Sequence, residues 1–201
     1  MCGIFFSTLN AKKEIYKWFD DSRIIDKYLE NRGPGSSAFF ENDKIYMKHY
    51  RLPISGNTPM PCATKNDIIF LFNGEIYNDW QIYNREYGDV DFLQKVLESD
   101  GKINENIKKL DGEFAIVFYD FRLDQVHLIS DPFATKPLYY AFKKSDIIAS
   151  SYYSTLLDVG CKRSQIKKVP PNFHLVIKND GNYPSLIFSE KIKPFSFKAK
   201  E

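Results

Sequence analysis

A chain of 201 residues with 28 basic and 26 acidic side chains has a formal net charge of +2, which argues against strong electrostatic attraction to nucleic acid or a membrane surface. The composition, 43% hydrophobic and 16% aromatic, argues against disorder and suits a sheet-rich core in one domain or two small ones. We therefore expect the partner to be a small molecule or another protein.

Cysteine usage and the N-terminal sequence predict a cytoplasmic protein. Cys2, Cys62 and Cys161 are an odd number at wide spacings, which argues against a disulfide framework and for a reducing compartment. The first residues become polar soon after Phe6, unlike a signal peptide, and no stretch has the length of an apolar membrane span.

Short strand-like segments run along the chain, with few helical segments between them. GIFF, at residues 3–6, predicts a buried first strand, and residues 22–33 predict a helix that Gly33 and Pro34 end. The other predicted strands are SAFFE (37–41), KIYMKHYRL (44–52), DIIFLFN (67–73), EFAIVFYD (113–120), QVHLIS (125–130), KPLYYAF (136–142) and DIIAS (146–150).

Two hairpins and a second helix complete the predicted elements. We expect one hairpin turn at residues 120–125 and another near residues 180–181, within the segment 173–188. Asp89 is predicted to cap a helix over residues 90–99. The apolar face of that helix is expected to comprise Phe92, Leu93, Val96 and Leu97. Runs of strands with few helices predict an α+β fold with antiparallel sheets.

Cys2 would become the first residue if Met1 were removed, and its small side chain permits that removal. The chain would then carry a thiol and a free α-amine on one residue. Because an α-amine has a pKa of about 7.7–8.0, it can take a proton from the thiol and return it to a leaving amine. Such a nucleophile needs no histidine partner, although a small buried residue is the commoner role of a cysteine.

The segment LFNGEIYN, at residues 71–78, offers hydrogen-bond donors for the oxyanion that forms when a thiolate attacks an amide. The Asn73 side chain carries an NH2 group, and Gly74 lets a backbone N–H approach without a Cβ atom in the way. Asn-Gly is also the commonest signal of a hairpin turn, so the motif alone leaves both interpretations open.

Six motifs, taken in order, resemble the class II glutamine amidotransferases. The resemblance covers residues 2–176 and is greatest to the glutaminase domain of asparagine synthetase. The motifs are MCGI (1–4), RGP (32–34), HYRLPI (49–54), FNGEIYN (72–78), LDGEFAIVFYD (110–120) and DPFATKPLYY (131–140).

This resemblance implies an N-terminal nucleophile hydrolase fold, a four-layer αββα sandwich with two antiparallel sheets. It implies that the N-terminal thiol attacks the side-chain amide of glutamine, that ammonia leaves, and that water hydrolyses the γ-glutamyl thioester to glutamate. Asn73 and Gly74 would form the oxyanion hole. Arg51 would pair with the α-carboxylate of glutamine, and Glu75 and Asp89 with its α-ammonium group.

The sequence departs from the usual family pattern near these motifs. None of the departures touches the expected nucleophile or oxyanion hole. One lies two residues after Asp89, where a helix cap and a substrate ligand would compete for one carboxylate. The departures are Gly35 for Asp, Asp91 for Glu, Ser130 for Arg, Ala134 for Gly and Asn172 for Gly.

The resemblance is to one domain of a larger enzyme. Residues 1–190 are the predicted glutaminase domain, and residues 191–201 a C-terminal tail or the remnant of an interdomain linker. Asparagine synthetase has a second domain, with a Ser-Gly-Gly pyrophosphate loop, that receives the ammonia. We therefore expect an ammonia-accepting synthetase partner in trans, or, if the chain is a fragment, its own C-terminal half.

Three interpretations of the function stay open. The joint presence of Cys2, Arg51, Asn73 and Gly74 favours an active glutamine-hydrolysing subunit, because a binding module needs no nucleophile. The alternatives are a non-catalytic glutamine-binding or regulatory module of the same fold, and hydrolysis of a different amide.

The histidines and the other two cysteines are predicted to lie outside the chemistry. His49, His127 and His174 are scattered and lack metal-ligand spacing, so no metal and no cofactor are expected. His127 and His174 fall in strand-like segments and are predicted to be hydrogen-bonded core residues. Cys62 and Cys161 are interpreted as ordinary thiols.

Overall fold

The computed structural model describes residues 1–11, 21, 23–54, 56–78, 88–99, 101–180 and 184–193. These residues contain twelve strands and four α-helices. The strands are β1 (Gly3–Thr8), β2 (Ser36–Glu41), β3 (Ile45–Arg51), β4 (Cys62–Ala63), β5 (Ile68–Ile76), β6 (Gly112–Asp120), β7 (Gln125–Ser130), β8 (Tyr139–Lys143), β9 (Asp146–Ser150), β10 (Lys167–Lys168), β11 (Phe173–Lys178) and β12 (Ser185–Lys191). The helices are α1 (Arg23–Leu29), α2 (Asp89–Leu97), α3 (Ile103–Ile107) and α4 (Tyr153–Asp158).

The strands form two six-stranded sheets, which we call sheet A and sheet B. Sheet A has the order β10-β8-β9-β1-β3-β2, and sheet B has the order β12-β11-β7-β6-β5-β4. Every neighbouring pair in both sheets is antiparallel. The predicted α+β class with antiparallel sheets is therefore confirmed.

Three buried clusters show how the layers stack. Alternate residues of the strands face each other between the sheets, with Phe6 of β1 and Val117 of β6 in one cluster. The opposite face of sheet A packs against α1 and α4, as Phe5 does in a second cluster. The opposite face of sheet B packs against α2 and α3, where Phe118 contributes to a third. This is the predicted four-layer αββα sandwich.

The start of α2 differs from the prediction that Asp89 caps it. The N-cap residue is Gly88, and Asp89 is the first residue of the helix. The carboxylate that serves the helix start belongs to Asp91, whose Oδ2 accepts a hydrogen bond of 2.9 Å from the backbone N–H of Gly88. Its Oδ1 accepts a second bond, of 2.7 Å, from the Thr58 hydroxyl. The predicted cap residue is therefore wrong, and Asp91 makes the hydrogen bond to the helix start.

The strands of both predicted hairpins pair with each other. The turn between β6 and β7 lies at residues 121–124. Strand β11 pairs with β12 as predicted, and residues 181–183 of their connection lie outside the described residues. Most of the predicted tail, at residues 194–201, also lies outside them. In the described part of the chain, no helix combines the length and apolar character needed to span a membrane.

His127 and His174 are buried on the helix-covered face of sheet B and hydrogen-bond each other, with 2.9 Å between Nδ1 of His127 and Nε2 of His174. The His127 ring stacks on Phe118, with 4.0 Å between ring centroids. Burial lowers the pKa of His174 to about 4, and burial followed by repulsion from His174 lowers the pKa of His127 well below its usual value. Both predicted core histidines are therefore neutral in the folded chain at neutral pH.

We expect this histidine pair to make the free energy of unfolding depend on pH in the acid range. Histidine in the unfolded chain has a pKa of about 6.5, so below that pH the unfolded state takes up protons that folded His174 does not bind until about pH 4. Folded His127, whose pKa also lies well below the usual value, resists protonation in the same way. The free energy of unfolding should therefore fall as the pH drops through this window. In a His127→Phe/His174→Leu double variant, the loss from pH 7 to 4 should be smaller by at least about 3 kcal/mol, the contribution expected of His174 alone. Urea unfolding at several pH values tests this, and equal losses in the two chains would contradict it.

Candidate active site

The six residues predicted for the site all line one cavity of about 80 Å³. It lies at one end of the space between the two sheets, where β1 and β3 of sheet A face β5 of sheet B. The predicted residues in its wall are Cys2, Arg51, Asn73, Gly74, Glu75 and Asp89. The wall also contains His49, which was predicted to lie outside the chemistry, and Met1, Thr58 and Lys136, for which no contact with substrate was predicted.

Cys2 directly precedes β1, and its side chain shares the inner face of sheet A with Ile4 two residues later. The thiol is half-buried and lies against Leu52, whose backbone N–H points at Sγ with 3.4 Å between N and S. Sγ is also 3.8 Å from the Leu52 carbonyl oxygen.

Arg32 holds the segment before β1 in place. Its Nε donates a hydrogen bond of 3.1 Å to the Cys2 carbonyl oxygen, and Nη2 lies 3.4 Å from Met1 Sδ. The guanidinium also lies over the Tyr152 ring, 5.0 Å from its centroid, and Arg32 is only 8% exposed. The RGP motif marked this arginine, but its role depends on contacts between residues that are distant in sequence.

We expect Arg32→Lys to lower kcat by about 10–100-fold with little change in KM. A lysine keeps the charge but loses the planar fork that orients the N-terminal segment, and small displacements of a nucleophile are costly. Arg23→Lys is the matched control, because that side chain is 87% exposed and forms an ion pair with Asp21. Steady-state kinetics of both variants test the expectation. An unchanged kcat in Arg32→Lys would show that the fork does not position the thiol.

Asn73 and Gly74 lie within β5, not in a turn. The hairpin interpretation of the Asn-Gly pair is therefore wrong, because strand pairing with β6 continues through both residues. The Asn73 side chain is 1% exposed and shares the inner face of sheet B with Leu71. In the part of the chain that the structure describes, neither Nδ2 nor Oδ1 has a hydrogen-bond partner. A buried amide without partners is costly, so its presence in the wall next to Gly74 indicates a site for a ligand.

Charged side chains of both signs surround the cavity. Arg51, at the end of β3, donates through Nη2 to the Gly56 carbonyl oxygen and through Nη1 to that of Asn57, at 3.3 Å. These contacts fix the guanidinium at the cavity wall. Glu75 and Asp89 supply carboxylates from sheet B and α2. A zwitterionic amino acid needs both signs within one pocket, and this wall provides them.

Lys136 adds a second cation to the wall. Its Nζ lies 2.8 Å from Glu113 Oε2, and Glu113 pairs with Glu75 across β5 and β6. Lys136 therefore offsets the repulsion between two carboxylates that lie directly opposite each other. The fully buried Asp131 carboxylate holds the loop that carries this lysine, accepting backbone hydrogen bonds from Phe133 at 2.8 Å and from Phe114 at 3.1 Å.

The two other cysteines have less reactive surroundings. Burial, followed by the nearby charges of Asp91 and Glu98, raises the pKa of Cys62 to about 11. Burial also raises the pKa of Cys161 to about 11. Both are protonated near neutral pH, in agreement with the interpretation of both as ordinary thiols.

The fold is shared with solved amidotransferase structures. Glutamine phosphoribosylpyrophosphate amidotransferase from B. subtilis matches with a TM-score of 0.67 at 16% identity, over 96% of this chain and 49% of that chain. The allosteric regulatory enzyme of purine biosynthesis matches over the same shares with a TM-score of 0.62 at 16% identity. The likeness agrees with the four-layer αββα sandwich that the sequence resemblance predicted.

Residues 1–191 match the glutamine amidotransferase domain family, and the chain belongs to that family. A probable glutamine-hydrolyzing asparagine synthetase of Dictyostelium discoideum is 27% identical over 97% of this chain and 34% of its own length. A putative enzyme of the same name from Methanocaldococcus jannaschii is 30% identical over 81% of this chain and 38% of its own length. The chain thus spans little more than a third of the length of these relatives.

Proposed function

We propose that this chain hydrolyses the side-chain amide of L-glutamine to glutamate and ammonia through a thioester on Cys2. The observation that carries the proposal is the Asn73 side chain, which is 1% exposed and whose Nδ2 and Oδ1 find no hydrogen-bond partner within the described ranges. It lines the same cavity as Cys2 and Gly74. The amide Nδ2 and the Gly74 N–H are the donors for the oxyanion of the tetrahedral intermediate.

The reaction follows from this arrangement once Met1 is removed. The Cys2 α-amine takes the thiol proton as Sγ attacks the amide carbon, and the oxyanion accepts hydrogen bonds from Asn73 and Gly74. The proton then passes to the leaving nitrogen, the C–N bond breaks, and ammonia departs. Water attacks the thioester carbon, gives a proton to the α-amine, and the C–S bond breaks to release glutamate.

Substrate choice rests on the charges of the wall. Arg51 binds the α-carboxylate of glutamine, and Glu75 and Asp89 bind the α-ammonium group. The Arg51 guanidinium is planar and held by the carbonyls of Gly56 and Asn57, which presents its remaining N–H groups in a fixed direction. An α-amino acid fits this set better than an uncharged amide does.

Arg51→Met is expected to raise the KM for glutamine by about 10–100-fold, the effect of losing one charge-assisted contact, with a smaller change in kcat. For a glutamine analogue without the α-carboxylate, the variant and the parent chain should have similar KM values. Initial rates of amide hydrolysis with both substrates test this. An unchanged KM for glutamine would remove Arg51 from the substrate contacts.

The ammonia is expected to pass to an amidating partner of the asparagine synthetase type. Relatives named as glutamine-hydrolyzing asparagine synthetases extend well beyond the part that this chain matches, which supports an acceptor elsewhere, in a partner or in further sequence of the same polypeptide. A partner that couples the reactions should raise glutamine turnover when its acceptor substrate is present. No stimulation by a copurifying protein would argue against a partner in trans.

The direct test is glutamate release from L-glutamine by the purified chain, with Cys2→Ala as the matched control and L-asparagine as a shorter substrate. We expect release that needs Cys2 and prefers glutamine. Turnover that survives in Cys2→Ala would refute the proposed nucleophile. A chain that lacks Met1, binds glutamine and releases no glutamate would instead support the non-catalytic binding module.

A further inference from the structure

His49 lies inside the cavity, yet the reaction described above gives it no role. It is 4% exposed and lies on β3, directly opposite Ile4 of β1. Because Cys2 precedes Ile4 by two residues, its side chain shares the inner face of sheet A with His49, and the two are diagonal neighbours across the strands. Both line the same cavity as Asn73.

The hydrogen bonding of His49 leaves one ring nitrogen unused. The imidazole interacts with the backbone of Phe72, the residue before Asn73, while Nε2 is buried without a hydrogen-bond partner among the described residues. Nδ1–H is therefore the donor to the Phe72 carbonyl, and Nε2 carries an available lone pair. Burial lowers the pKa of His49 to about 4, so this nitrogen remains an acceptor near neutral pH.

The Asn73 side chain contributes a second hydrogen-bond acceptor, Oδ1, in addition to Nε2 of His49. When Nδ2 serves the oxyanion, Oδ1 of the same amide is still buried and without a protein partner. Two buried acceptors require a ligand with N–H or O–H donors, because buried polar groups are almost always hydrogen-bonded. The reaction involves two such molecules, the ammonia that leaves and the water that attacks.

We infer that His49 Nε2 and Asn73 Oδ1 form a subsite for a small neutral hydrogen-bond donor, ammonia or water, beside the carbon that Cys2 attacks. This inference rests on the proposed function. In acylation, the newly formed ammonia donates one N–H to Nε2 as the C–N bond breaks. In deacylation, the attacking water donates one O–H to Nε2 and gives its other proton to the Cys2 α-amine. No proton is transferred to His49 in either step.

The test compares His49→Leu, which lacks the acceptor, with His49→Gln, which supplies an amide oxygen and an N–H group. We expect His49→Leu to lower kcat about tenfold at nearly constant KM, the effect of one lost hydrogen bond, and His49→Gln to recover most of that loss. His127→Gln is the matched control, because that buried histidine lies on the other face of sheet B. Its kcat should equal that of the parent chain.

Intact-mass analysis of acid-quenched samples separates the two ligands. If Nε2 orients water, the γ-glutamyl thioester accumulates in His49→Leu, and added hydroxylamine speeds its breakdown. If Nε2 holds departing ammonia, acylation itself slows and no thioester accumulates. The inference is overturned if His49→Leu keeps the parent kcat, or if both His49 variants lose activity equally together with thermal stability.

Failure of the proposed function has a different signature, which is a parent chain without Met1 that forms neither thioester nor glutamate. The subsite can still be tested in that case from the ¹⁵N chemical shifts of labelled imidazoles in the resting chain. We expect water to fill the subsite, so Nε2 of His49 should show the shift of a nitrogen that accepts a hydrogen bond. The shift of a nitrogen without such a bond would overturn the inference.

Discussion

Asn73→Ala is expected to lower kcat for glutamine hydrolysis by about 10²–10³-fold while KM changes little. The amide is the donor for an oxyanion that exists only after Cys2 has attacked, so its loss affects the transition state more than substrate binding. Its two polar atoms have no protein partners to lose, and truncation leaves no protein group newly unpaired. Folding stability should therefore change much less than the rate.

Asn78→Ala is the matched control for this prediction, because it removes an asparagine from the same sequence motif. The Asn78 side chain bonds to the backbone of Lys109, at 2.8 Å, and of Asp111, at 2.6 Å, and it does not line the cavity. Its loss should lower stability and leave kcat nearly unchanged. An Asn73→Ala chain that keeps kcat within about tenfold of the parent value would contradict the oxyanion role.

Gly74→Ala is expected to destabilise the whole chain, by about 4 kcal/mol or more. A Cβ atom at this position would overlap the Glu113 carbonyl oxygen and lie 2.7 Å from the Phe114 Cα atom. Both belong to the backbone of β6, which cannot move away without breaking its pairing with β5 and β7. The glycine is therefore required by the close approach of two strands as well as by access to its N–H group.

Gly101→Ala measures the cost of placing alanine at a positive φ where no steric overlap is present. Gly74 has φ of +156° and Gly101 has φ of +69°, and a Cβ at Gly101 meets no atom within 4 Å. Alanine at Gly101 should thus cost only the conformational term of about 1–2 kcal/mol. Urea unfolding of the two variants measures the difference. Equal losses of stability would show that the contact with β6 is not the cause.

The long elements could be predicted because their own residues determine them. β5 and β6 carry unbroken apolar and aromatic runs, and α1 shows helical spacing before Gly33. Strands β4 (Cys62–Ala63) and β10 (Lys167–Lys168) could not be predicted, because each forms only beside its partner strand. Two residues are too few to show a periodicity. Helices α3 and α4 have five and six residues, too few for an apolar stripe to stand out.

The start of α2 shows why a cap is difficult to assign from sequence. Asp89 and Asp91 both lie in the first turn, and either carboxylate is a chemically reasonable partner for the N-terminal N–H groups. The structure uses Asp91, because its side chain reaches back to Gly88 and is also held by Thr58, which is distant in sequence. That tertiary contact could not be foreseen from spacing.

The residues of the site likewise include some that the sequence could reveal and some that it could not. Residues whose chemistry is visible in a motif, such as Cys2 and Asn73, were expected and line one cavity. Arg32, His49 and Lys136 act through contacts across the fold, with the Cys2 carbonyl, the Phe72 backbone and Glu113 respectively. A scattered histidine has no sequence pattern, and only the structure shows that His49 lines the cavity.

Two departures from the family pattern have a conformational explanation. Ala134 has φ of +52° and Asn172 has φ of +65°, which is the left-handed region where glycine is preferred. Asn tolerates this conformation well, and the Asn172 side chain also bonds to the Lys193 backbone at 2.7 and 2.9 Å. The methyl side chain of Ala134 cannot form such a hydrogen bond. The family pattern of glycine at both positions therefore agrees with the backbone conformation seen here.

The central claim is that Cys2 becomes an acylated N-terminal nucleophile. The most direct test is the intact mass of the chain, quenched in acid within one turnover after mixing with L-glutamine. We expect a chain without Met1 that carries one γ-glutamyl group on Cys2, and no adduct in Cys2→Ala. Glutamate release with the acyl group on another residue, or with no acyl group in any quenched sample, would contradict it.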